Sequence, residues 1–122
     1  MKIATDLDVA LVQHIREGLG VVRETFQPFY EAELHRLRGQ LLLLRADVAA
    51  AESALQEALA IARRQQARSL ELRAATSLAR LWLRDGKRED VRALLAPVYE
   101  WFTEGFDTRD LQDAKALLEQ LA

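Results

Sequence analysis

Two stretches of twenty residues, GQLLLLRADVAAAESALQEA (39–58) and ARLWLRDGKREDVRALLAPV (79–98), decide the fold of this chain. When the second stretch is aligned with the first, small side chains fall on small ones and large side chains on large ones. Gly39 aligns with Ala79, for example, and Leu55 aligns with Leu95. A repeat at a fixed period indicates one supersecondary unit that occurs twice and stacks on itself.

The composition predicts a single all-α domain that spans 1–122. Leu and Ala, which favour helix, make up 42 of the 122 residues, whereas Val and Ile together contribute ten. The scarcity of β-branched residues, with only five Gly and two Pro, argues against a sandwich or a barrel. Because Cys is absent, a disulfide framework, a cysteine nucleophile and a thiolate metal site are excluded.

Apolar periodicity and capping residues predict about six helices, arranged as antiparallel pairs. Four units follow from the repeat: part of a preceding repeat, two full repeats and a capping helix, at 5–27, 29–66, 70–103 and 108–121. Within the repeats we expect helices at 29–45, 48–66, 70–84 and 88–103, and a last helix at 109–121. The polar segment 65–70, which contains no Gly or Pro, is expected to lengthen the connection between the two repeats.

Charge is unevenly distributed along a chain whose net charge is −2. Residues 63–92 carry a net charge of +5, between acidic flanks of −3 and −4. This basic strip is typical of a solvated helix face, and the small net charge argues against a nucleic-acid partner. No apolar run is long enough for a membrane span and the N-terminus lacks the apolar core of a signal peptide, so a cytoplasmic protein without a membrane partner is expected.

No catalytic, metal or cofactor site is predicted. The two histidines, His14 and His35, each lie one helical turn from a glutamate, but a carboxylate-bridged metal site needs a second such pair on another helix. Surface or groove-lining histidines are the simpler interpretation. Neither a phosphate-binding loop nor a pair of carboxylates suited to acid–base catalysis is recognisable, so we expect no enzyme.

The spacing of small and large residues resembles the tetratricopeptide repeat, a helix–turn–helix unit of about 34 residues. The resemblance covers 32–103, with a period of 40 instead of 34. It departs from the family at His35 and Arg38, where an aromatic residue and a leucine are usual, and at Arg63 and Thr103, where the unit usually closes with proline. The resemblance implies a right-handed array of helix pairs.

Several runs also resemble the C-terminal tails of large bacterial signalling proteins, namely predicted ATPases, nucleotide cyclases and LuxR-type regulators. These runs are YEAELHRLRG (30–39), ARRQQA (62–67), SLELRAATSLARLW (69–82), LLAPVY (94–99) and WFTEGFDT (101–108). Because the catalytic domains of those proteins are absent here, the resemblance implies a non-catalytic helical interaction module.

In the tetratricopeptide family the first helix of each pair lines a concave groove. Carried over by spacing, the resemblance assigns ten positions to the groove: Glu33, Arg36, Gln40, Leu43 and Leu44 in the first repeat, and Arg73, Thr76, Arg80, Leu83 and Arg84 in the second. Seven of them are predicted to bind the partner: Arg36, Gln40, Leu43, Arg73, Thr76, Arg80 and Arg84. The guanidinium groups of Arg73, Arg80 and Arg84 suit the carboxylates of an acidic or C-terminal peptide segment, or of a neighbouring domain. A structural role remains as an alternative, in which the exposed helix at 5–27 pairs with a second copy of the chain to form a homodimer. Trp101 is either a core residue or an exposed anchor in an interface.

Overall fold

The computed structural model describes residues 29–121, which form five α-helices and no β-strand. The helices are α1 (Phe29–Leu44), α2 (Val48–Arg64), α3 (Arg68–Arg84), α4 (Arg88–Glu100) and α5 (Arg109–Gln120). The all-helical prediction is therefore confirmed for this part of the chain. The predicted helix at 5–27, and with it the proposed dimer contact, lies outside the described residues.

Three successive turns share one backbone conformation. Their central residues are Ala46, Gln66 and Gly86, with φ of 60°, 55° and 76°. In each turn the following N–H bonds a carbonyl five residues back, as in Asp47 to Leu42 at 2.9 Å. This pattern, with a left-handed residue just beyond the helix end, is a Schellman motif, and it satisfies carbonyls that the helix leaves unpaired.

The turn at 65–67 corrects the expectation of a longer connection between the repeats. Helix α3 begins at Arg68 instead of position 70, and the connection is as short as its neighbours at 45–47 and 85–87. The helix ends at Leu44, Arg64 and Arg84 are evenly spaced along the chain. The additional residues of the longer period thus lengthen the helices, since α2 and α3 have 17 residues each.

Helices α1 and α2 lie close together at Gly39. A β-carbon at this position would lie 2.8 Å from Leu55 Cγ and 3.2 Å from the carbonyl oxygen of Ala51. Position 39 therefore faces position 55, the large residue sixteen positions later in the repeat. The corresponding Ala79 and Leu95 are both fully buried in the main core, which draws on α2, α3, α4 and α5.

Successive helices pack side by side, and the short turns make α1 to α4 antiparallel. Helix α3 also contacts both α1 and α5, whereas the backbones of α2 and α4 do not come close to each other within residues 29–121. Helices α1, α3 and α5 therefore form one layer, with α2 and α4 behind it. This layer carries the candidate site.

The connection from α4 to α5 is longer and irregular. Helix α4 includes Pro97 and ends at Glu100, three residues before the predicted limit. Trp101 and Phe102 follow at the start of the connection, with their rings edge to face and their centroids 5.1 Å apart. None of the five helices is long and apolar enough to cross a membrane.

Candidate interaction groove

Three adjoining clefts lie on the layer formed by α1, α3 and α5, with volumes of about 190, 260 and 380 Å³. Arg80 lines all three clefts, Ser77 lines the first two and Arg84 lines the last two. We call this continuous depression the groove. It follows α3 from Arg73 to the C-terminal end of the helix at Arg84.

The seven predicted partner-binding residues line these clefts, as does Leu83, whereas Glu33 and Leu44, which the resemblance also assigned to the groove, do not. The first cleft takes Arg36, Arg73, Thr76 and Arg80, and the other two add Gln40, Leu43 and Arg84. They converge because helical spacing places Arg73, Arg80 and Arg84 on one stripe of α3, beside α1. Their role in binding stays a prediction.

The arginines of the first cleft are already paired with carboxylates of the chain. Arg73 Nε lies 2.8 Å from Asp110 Oδ2, and Arg80 Nη2 lies 3.4 Å from Asp113 Oδ2. Glu33 binds Arg36 through Nε at 3.0 Å and approaches Arg73 Nη1 at 3.5 Å. The groove is therefore a network of alternating charges across α1, α3 and α5, where the sequence alone predicted a row of available cations.

This network favours the charged form of Arg73. The hydrogen bond from its guanidinium to Asp110 raises the pKa of Arg73 above its ordinary value, an effect that partial burial opposes and the negative charges of Asp110 and Glu33 reinforce. The shift adds to the ordinary behaviour of arginine, which is protonated in proteins.

Sequence reasoning missed the aspartates of α5. Asp110 and Asp113 are three residues apart and therefore lie on the same helix face, in a segment with a net charge of −4 that follows the basic strip. Opposite charge on the two segments was visible in the sequence. Which carboxylate meets which guanidinium depends on how α5 docks on α3, and no local pattern specifies that.

The end of the groove near Arg84 has a different character. Arg84 is exposed and has no ion-pair partner within residues 29–121. Beside it the clefts are lined by four leucines: Leu43, Leu81, Leu83 and Leu117. An uncompensated cation next to apolar side chains suits a carboxylate that has apolar neighbours.

Thr76 contributes a hydroxyl group to the first cleft. The side chain is 5% exposed, and its Oγ1 has no hydrogen-bond partner among the described residues. A buried hydroxyl without a hydrogen-bond partner destabilises the folded chain relative to one that is solvated or hydrogen-bonded. A ligand group that reached Thr76 Oγ1 would remove this penalty.

His35 is the histidine whose surroundings the structure describes. It is buried, contrary to the expectation of a surface or groove-lining residue, whereas His14 lies outside the described residues. Residues 29–121 contain no cluster of three or more potential metal ligands.

Comparison of the chain with protein-family models, curated proteins and solved structures found no match.

Proposed function

We propose that this chain is a non-catalytic, tetratricopeptide-like interaction module that binds an acidic peptide segment, or an acidic segment of a neighbouring domain, in the groove. The resemblance in the sequence suggests such a module in a bacterial signalling or regulatory protein. The observation that carries the proposal is the convergence of seven residues from α1 and α3 on one continuous groove. The packing order supports it, because α1, α3 and α5 form one layer.

The charges favour one direction of approach. Near Arg84 an incoming carboxylate meets a cation that is not already paired within the described residues. Deeper in the groove, the same carboxylate competes with Asp110 for Arg73 and with Asp113 for Arg80. When a peptide carboxylate replaces Asp110 or Asp113, the net gain in free energy is only the difference between the new ion pair and the old one. We therefore expect a modest affinity that decreases as the salt concentration rises.

A display library of random twelve-residue peptides, selected against the chain at low salt, tests the proposal. Selected peptides should be enriched in Asp and Glu. Their affinity should fall at least tenfold on Arg84→Glu, because a carboxylate replaces the unpaired cation at the end of the groove.

Arg64→Glu is the matched control. Arg64 is also an exposed arginine in the last turn of a helix, but it does not line the groove. A library that yields no binder, or peptides that lose equal affinity on Arg84→Glu and Arg64→Glu, would refute the proposed function.

A further inference from the structure

A fourth cleft, with a volume of about 650 Å³, lies beyond the N-terminal end of the groove. It is lined by the first turns of α3 and α5 and by the connection between α4 and α5. We call it the aromatic pocket; its lining includes Ser69, Leu72, Trp101, Phe102, Glu104, Asp110 and Leu111. Its volume lies within the range of about 300–1,000 Å³ that is usual for ligand sites.

Four apolar side chains line the aromatic pocket, and Ser69, Thr103 and Thr108 add hydroxyl groups to its lining. Leu72 and Leu111 are core residues, 1% and 3% exposed, and the rings of Trp101 and Phe102 stand beside them. Trp101 remains 53% exposed, although Arg68 lies over its ring at 5.0 Å. Of the two interpretations that the sequence left open, the structure thus gives Trp101 the exposed position, while Phe102 packs against the core.

The charged groups that line the aromatic pocket are both carboxylates. Asp110 already accepts a hydrogen bond from Arg73, whereas Glu104 is exposed and has no ion-pair partner in the described part of the chain. A pocket with these four apolar side chains and two carboxylates complements a large apolar side chain that has a basic neighbour.

The aromatic pocket is continuous with the groove. Asp110 lines both the pocket and the first cleft of the groove. From Leu72 to Arg84 the axis of α3 rises about 18 Å, which an extended peptide spans with about five or six residues. One short peptide can therefore reach from the pocket to the unpaired cation.

We propose that the aromatic pocket holds a large apolar side chain, next to a Lys or Arg, of the same peptide whose acidic residue binds Arg84 five or six positions away. The inference rests on the proposed function and adds a specificity site to it. The pocket selects the apolar residue and the groove selects the acidic one, so the spacing between them defines the ligand.

The peptides selected from the random library provide the probe. Their alignment should show a large apolar residue, with a basic neighbour, five or six positions from the shared acidic residue in one direction along the peptide. Replacing that apolar residue with Ser should weaken binding to the wild-type chain about tenfold.

Ser69→Phe blocks the mouth of the pocket from the exposed side of the first turn of α3 and leaves the groove intact. On this variant the parent peptide should bind about tenfold more weakly, and the Ser replacement in the peptide should have no further effect. Ser53→Phe, the same change at an exposed position of α2 that lines none of these four clefts, is the matched control. Thermal unfolding followed by circular dichroism verifies that both variants fold.

The outcomes separate the two proposals. If the alignment shows no apolar position, or if the Ser replacement is equally harmful on Ser69→Phe and on wild type, the pocket assignment is overturned. The proposed function survives as long as Arg84→Glu still weakens binding at least tenfold and Arg64→Glu does not. If Arg84→Glu also has no effect, or if no peptide is selected, both are overturned.

Discussion

Replacing Gly39 with Ala tests the close approach of α1 and α2, because two effects of opposite sign act on one residue. Within a helix, Ala is more favourable than Gly by about 1 kcal/mol. A new methyl group here would lie 2.8 Å from Leu55 Cγ, 2.9 Å from Leu55 Cδ2 and 3.2 Å from the Ala51 carbonyl oxygen. The sign of the change in stability shows which effect dominates.

The steric term should dominate. Leu55 is fully buried, and its Cγ can move only if the whole side chain shifts, while the Ala51 oxygen belongs to the backbone of α2. Overpacking of a close-packed core costs about 1–3 kcal/mol, and contacts with three atoms favour the upper end. After the gain in helix propensity is subtracted, we expect Gly39→Ala to destabilise the chain by about 2 kcal/mol.

Urea unfolding followed by circular dichroism at 222 nm measures this difference, since a change in midpoint at constant slope reports a change in stability. The control is a double-mutant cycle with Leu55→Ala, which removes two of the three close contacts. In that background Gly39→Ala should destabilise the chain much less than in wild type, because the gain in helix propensity of about 1 kcal/mol then opposes only the contact with the Ala51 oxygen. A single variant as stable as wild type, or the same change in both backgrounds, would refute the close approach.

Two further predictions concern a turn and an ion pair. Ala46→Gly should raise the urea midpoint by the equivalent of about 0.5 kcal/mol, because Gly adopts the left-handed φ of 60° without the penalty of a β-carbon; an unchanged or lower midpoint would contradict this. Asp110→Asn should destabilise the chain by less than about 1 kcal/mol, because its ion pair with Arg73 is partly exposed, and the loss should vanish in 1 M NaCl; a larger loss that salt does not alter would show that Asp110 acts through packing.

The sequence predicts each of the described helices, but it predicts some helix ends more accurately than others. Gly86 identifies its turn because glycine adopts positive φ without strain, and Asp47 marks the start of α2 by accepting a hydrogen bond from the Ala50 N–H. Gln66 gives no such signal. A residue with a β-carbon adopts the left-handed conformation at a penalty of about 1–2 kcal/mol. Favourable packing of the flanking helices can offset this penalty. The turn at 65–67 is therefore set by tertiary structure.

The sequence likewise predicts some features of the candidate site and not others. Arg73, Arg80 and Arg84 share one stripe of α3 through helical spacing alone, so their convergence could be predicted. That Asp110 and Asp113 compensate two of these arginines could not, because it depends on how α5 rests on α3. The aromatic pocket lies still further from sequence reasoning, since it forms between two helix ends and an irregular connection.

The three left-handed turns have the same conformation, so each could join any two of the helices α1 to α4. The faces of successive helices differ, however, in their pattern of small and large side chains. The same turn geometry follows each of α1, α2 and α3, whereas the pattern of small and large side chains recurs only after every second helix. Inserting a second copy of 48–87 after Lys87 would therefore preserve both the turn geometry and the alternation of the side-chain pattern. The layer that lines the groove would gain one helix. A second copy of 48–67 alone, inserted after Ala67, would join equally well, yet it would exchange the front and rear layers from that point onward. The chain can thus be extended only in even numbers of helices.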